Sequence, residues 1–132
     1  MIFDHIGVFV ADLAKGREQL SQAIGIGDWG LEIDDPGLKV RVQFGTDASG
    51  LRYELVAPGG PGNPVDAVLA ERRNILNHVA YRVASLEDEL ARLRAAGAMP
   101  ISRPHPAVAF GGRPVVFVLT RPGFILELIE GL

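Results

Sequence analysis

Hydrophobic positions fall into short β-branched and aromatic runs, interrupted by stretches in which they recur at helical spacing. Residues 2–10 (IFDHIGVFV) predict a strand, with Phe3, His5, Gly7 and Phe9 on one face and Ile2, Ile6 and Val8 on the other. Asp12 then offers an N-cap, and Leu13, Leu20, Ala23 and Ile24 follow a helical period up to Gly25. Three more strands are predicted at 31–33, 39–44 and 51–56, broken by Asp35-Pro36-Gly37 and Asp47-Ala48-Ser49-Gly50.

Residues 58–64 (PGGPGNP) read as a linker, and a helix is predicted over 65–73. The order of elements then starts again. A strand at 75–83 leads to a helix capped by Ser85, which runs to Gly97 with Leu86, Leu90 and Leu93 on one face. Strands at 98–102, 114–119 and 124–129 complete the second set. Residues 103–112 (RPHPAVAFGG), rich in proline and glycine, are expected to form a loop that serves as an active-site lid. The expected fold class is α+β. One domain over 1–132 would contain two tandem βαβββ modules, 1–57 and 74–132, joined by a linker at 58–73. Neither module is large enough to bury its own sheet, so the two are expected to pair around a central metal-binding groove.

A repeat supports this division. The interval from His5 to Glu54 equals that from His78 to Glu127. At the same offset Ile2 matches Ile75, Val10 Val83, Ala11 Ala84, Leu13 Leu86, Leu20 Leu93 and Ala23 Ala96. Val42 also matches Val115, Phe44 Phe117, Gly50 Gly123 and Leu55 Leu128. These twelve identities compare with roughly four from composition alone, which marks a duplication with one metal-ligand pair, His and Glu, in each copy.

Composition narrows the function classes. A chain of 132 residues that is 48% apolar and 22% charged suits one globular domain with a core of its own. The net charge of −3 gives no basic field for nucleic acid, and no apolar run approaches a membrane span. The absence of cysteine removes disulfides, thiolate nucleophiles and Cys-based metal sites together. Cytoplasm is the default expectation, since the first residues lead straight into a strand with no signal-like segment.

Two imidazoles and two carboxylates suit a divalent ion such as Co²⁺, Ni²⁺, Mn²⁺ or Zn²⁺. Four protein ligands would leave an octahedral ion two positions for adjacent substrate oxygens. Such a site stabilises the enolate formed by losing a proton next to a carbonyl, and Glu54 and Glu127 are the candidate bases. A lone ionised Glu127 between Leu126 and Leu128 would be costly to bury, so it either binds a cation or faces outward. Around the lid, Phe110, Gly111, Gly112, Arg113 and His105 are weaker candidates for substrate contact, with N–H groups and a guanidinium facing an anion. Trp29 could line the groove.

The segments Asp4-His5-Ile6-Gly7-Val8, Tyr53-Glu54-Leu55-Val56-Ala57-Pro58 and His78-Val79-Ala80-Tyr81-Arg82-Val83, in this order, resemble the vicinal oxygen chelate superfamily. Gly111-Gly112-Arg113-Pro114-Val115-Val116-Phe117 and Ile125-Leu126-Glu127-Leu128 extend the resemblance over nearly the whole chain, and it is closest to methylmalonyl-CoA epimerase. The chain departs from the epimerase pattern at Asn77, where a second His is usual, and at Leu119-Thr120-Arg121-Pro122, where the strand usually ends in His-Pro-Lys. It departs again at Val40, where some epimerases carry a carboxylate. The resemblance implies a metal-dependent isomerase acting on a small molecule, an acyl-CoA being one candidate, and a homodimer. Alternatives are a glyoxalase I-type lyase and a non-catalytic small-molecule or antibiotic-binding resistance protein.

Overall fold

The computed structural model describes residues 1–132. Strand β1 (Ile2–Phe9) stops at a turn where Asp12, in extended backbone, accepts a hydrogen bond from Lys15 N at 2.8 Å and starts helix α1 (Leu13–Ile24). Gly25 ends that helix in the left-handed region (φ 68°), where a side chain would be strained. Strands β2 (Ile33–Asp35), β3 (Val40–Thr46) and β4 (Arg52–Pro58) follow, and then helix α2 (Val65–Glu71). The order restarts with β5 (Leu76–Val83) and helix α3 (Leu86–Ala95), whose N-cap Ser85 accepts from Asp88 N at 3.2 Å. Strands β6 (Met99–Pro100), β7 (His105–Ala107), β8 (Arg113–Leu119) and β9 (Ile125–Glu130) complete an α+β chain. No helix is long and apolar enough to cross a membrane.

The chain divides into two compact units. One is His5–Asn77, and the other is His78–Leu132 together with Met1–Asp4. In the first, the strand order is β2-β3-β4-β1, with β4 antiparallel to β3 and parallel to β1. In the second, the order β6-β8-β9-β5 repeats that plan, and β7 pairs with β8 as an addition.

Each unit packs its helix against one face of its strands. Val8, Leu13, Leu55 and Ala57 form the core of the first, with Leu20, Trp29 and Tyr53 packed on it. Val83, Leu86, Leu90, Val116, Val118, Leu126 and Leu128 form that of the second. The first four residues are fixed to the second unit by the Asp4–Arg82 ion pair at 2.7 Å and by Phe3 edge-on to Tyr81.

Three elements differ from expectation. Strand β2 lies at Ile33–Asp35 and not at 31–33, and Leu31 is 87% exposed. Pairing with β3 and a turn closed by Leu38 N on Asp35 Oδ1 (3.0 Å) fix this short polar strand. Strand β6 is two residues long, although Ile101 N still reaches Phe117 O at 2.9 Å. The expected lid loop is largely ordered pairing. His105 lies opposite Val115 and Ala107 opposite Arg113, and a 3-10 turn over Val108–Phe110 buries Phe110.

Candidate metal centre

In the first unit β1 and β4 run side by side with Gly7 opposite Glu54. Side chains alternate along strands, so His5 shares the face of Gly7 and Glu54, away from α1. On that face His5 Nε2 stands 3.5 Å from Glu54 Oε1. The second unit repeats the arrangement with Ala80 opposite Glu127. There His78 Nε2 stands 3.1 Å from Glu127 Oε2. Gly7 and Ala80 stand at the repeat offset, so both copies place a small residue opposite the carboxylate.

An aromatic ring backs each imidazole. Phe44 on β3 faces His5 edge-on, with centroids 5.4 Å apart and planes at 84°. Phe117 on β8 faces His78 at 5.6 Å and 75°. On the opposite face of β4, the Tyr53 phenol is pushed above its usual range, first by burial and then by the Asp47 carboxylate.

His5, Glu54, His78 and Glu127 are all buried, and together they form a group that could hold a metal ion. Each offers one ligand atom, and these atoms lie within 4.8 Å of one another. The donor set fits a divalent cation. Neutral imidazole nitrogens and carboxylate oxygens are borderline-to-hard ligands, and two buried carboxylates call for positive charge nearby.

The weaker candidates have the following surroundings. Phe110 is buried, with the Arg82 guanidinium 5.7 Å from its ring centroid. Gly111 and Gly112 close the β7–β8 turn at φ 65° and 82°. Their N–H groups donate to Val108 O and Ala107 O, so they are engaged within the turn. Arg113 is exposed, its guanidinium lying over Gly131 where a Cβ would collide with it. His105 is half-buried on β7, its Nδ1 2.7 Å from Pro106 O. Trp29 belongs to the helix side, since its ring fills the space a Cβ on Gly45 would need.

Comparison with known proteins agrees with this architecture. Over 128 residues the chain is 28% identical to the ethylmalonyl-CoA/methylmalonyl-CoA epimerase of Cereibacter sphaeroides, covering 95% of this chain and 94% of that one. Among solved structures, hypothetical protein BH1468 from Bacillus halodurans superposes with a TM-score of 0.82 at 22% identity, covering 98% and 94% of the two chains. Methylmalonyl-CoA epimerase from Mycobacterium tuberculosis superposes with a TM-score of 0.76 at 23% identity, covering 98% and 87%. Residues 4–117 match the model of one family, and the chain belongs to it: the glyoxalase/bleomycin resistance protein/dioxygenase superfamily.

Proposed function

We propose that this protein is a divalent-metal-dependent epimerase that moves a proton on the carbon beside a carbonyl, with an acyl-CoA such as methylmalonyl-CoA as substrate. The observation that carries the reading is the set of four buried donors, two His–Glu pairs whose ligand atoms lie within 4.8 Å of one another. The epimerase relative, similar over nearly the full length of both chains, supports the choice of reaction.

His5, Glu54, His78 and Glu127 would hold the ion. When bound, it would supply positive charge to offset the negative charge that develops on a carbonyl oxygen as the adjacent proton leaves. The remaining work belongs to side chains. One glutamate accepts the proton, so that the C–H bond breaks as a carboxyl O–H forms. The other, protonated, returns a proton to the opposite face of the same carbon. Exchange of protons with solvent resets the two carboxyl groups. Burial of both pairs limits their contact with bulk water during the transfer, while between turnovers the carboxyl protons exchange with solvent.

Incubation of the metal-loaded protein with (2S)- or (2R)-methylmalonyl-CoA in D₂O tests the proposal. Deuterium should enter at C2 from both stereoisomers. No uptake from either would eliminate this substrate.

A further inference from the structure

We infer that Phe44 and Phe117 are positioning residues of the metal centre, each holding one histidine ring so that its Nε2 faces the paired glutamate. The inference rests on the metal-binding reading above and extends it to residues that donate no ligand atom.

Strand register places Phe44 directly opposite Glu54, and Phe117 directly opposite Glu127. In each unit the carboxylate-bearing strand is therefore flanked by the histidine strand on one side and the phenylalanine strand on the other. The aromatic ring reaches across the glutamate strand to meet the imidazole edge-on, at 5.4 Å in one unit and 5.6 Å in the other. Rotation of an imidazole about its second torsion is otherwise broad and roughly two-fold. An edge-to-face neighbour narrows it, because tilting the ring breaks the favourable quadrupole contact.

Neither phenylalanine belongs to the helix-side cores, which are built from other residues. The repeat keeps phenylalanine at both positions while its neighbours differ, Gln43 and Gly45 in one copy against Val116 and Val118 in the other. The two strands thus share the ring and, two residues before it on the same face, Val42 and Val115, while the helix-facing positions that flank the ring differ.

The test uses Co²⁺, which reports on ligand geometry through its visible absorption. Wild type, Phe44→Leu, Phe117→Leu and the corresponding Phe→Tyr variants are titrated with Co²⁺, and thermal unfolding is recorded without metal. An aromatic edge contact that orients a metal ligand is weaker than a hydrogen-bonded partner, so its loss should weaken affinity about 2–10-fold. Each leucine variant should fall in that range and show an altered Co²⁺ spectrum, while its metal-free unfolding stays cooperative. The tyrosine variants should restore both affinity and spectrum. If a leucine variant does not fold, Phe→Met, which refills the volume without an aromatic edge, is read by the same criteria. Leucine variants with wild-type affinity and spectrum would overturn the inference and leave the metal site standing. A wild-type protein that takes up no Co²⁺ would overturn the metal reading itself.

Discussion

In the first unit His5 Nε2 stands 3.5 Å from its glutamate, and in the second His78 Nε2 stands 3.1 Å from its own. The Arg52 guanidinium lies 3.9 Å over the Phe44 ring, whereas the position equivalent to Arg52 in the second copy is Ile125. Behind the strands the two differ at one packing position. Gly45 makes room for Trp29 on the helix side, and the equivalent Val118 fills its own core. The turns before β4 and β9 show the same division. Asp47 N bonds Leu51 O, and Thr120 N bonds Phe124 O, each turn closed by a glycine of positive φ, Gly50 at 85° and Gly123 at 104°. The turn geometry is common, but the residue that starts it is the acidic Asp47 in one copy and the neutral Thr120 in the other. The repeat has therefore kept donors, small residues opposite the carboxylates, rings, turn glycines and helix-side pairs such as Leu13 with Leu86 and Leu55 with Leu128, while single packing positions such as Gly45 and Val118 differ.

The largest effect should come from the glutamates. Glu54→Gln and Glu127→Gln should each lower epimerisation by about 10²–10⁴-fold, the usual contribution of a general acid or base. If each glutamate serves one face of the carbon, the two variants should retain C2 deuterium exchange from opposite stereoisomers. Equal residual exchange from both would break that division.

Next in size is the contrast between Asp4 and its repeat equivalent Asn77, both buried. Asp4 is paired with Arg82 at 2.7 Å, and Asn77 donates to Asn74 O at 3.3 Å. Asp4→Ala should cost about 3 kcal/mol of stability in urea unfolding, and Asn77→Ala about 1 kcal/mol. Equal losses would contradict the ranking.

The helix caps sharpen the comparison at a smaller scale. Helix α1 has no acidic residue in its first turn and no basic one in its last, so it depends on Asp12. Helix α3 has Glu87, Asp88 and Glu89 at its start and Arg92 and Arg94 at its end, and Glu130 also accepts from Leu86 N at 2.8 Å. Asp12→Ala should therefore cost about 1–2 kcal/mol and Ser85→Ala about 0.5 kcal/mol, read from unfolding midpoints.

The smallest effect is acid sensitivity at one turn. The Ser49 hydroxyl, 2.6 Å from Asp47 Oδ1, is the main cause that holds this carboxyl below the ordinary aspartate range, with the N–H groups of Leu51 and Ser49 helping. The folded protein thus binds this proton less tightly than the unfolded chain does. The stabilisation is complete above the ordinary aspartate value and is lost as pH falls through the lowered one. Thr120 gives the second turn no such dependence. Ser49→Ala should raise the Asp47 midpoint in a carboxyl NMR titration, and an unmoved midpoint would assign the shift elsewhere.

Much of this arrangement was legible in the chain. The shared interval from His5 to Glu54 and from His78 to Glu127 marked the donors, and period-two alternation marked which strand face carries them. Both N-caps, Asp12 and Ser85, follow from local chemistry and lie where they were expected. What escaped was non-local. Asp35 reads as the start of a break and Asp34 lies beyond the expected strand, yet pairing with Val40 and Arg41 makes both strand residues. Two prolines in residues 103–112 suggested an irregular loop, although Pro106 sits opposite Pro114 and needs no N–H there. Phe44 and Phe117 were visible as identities, but their meeting with histidines two strands away depends on register. Composition does not encode that.

Because Met1–Asp4 settle with His78–Leu132 while His5 opens the other unit, the boundary falls within a single strand, β1. Scission in the proline–glycine segment would leave a C-terminal fragment bearing Arg82 but lacking the carboxylate that answers it. The N-terminal fragment would carry that carboxylate away. The two fragments would regain that ion pair only by associating.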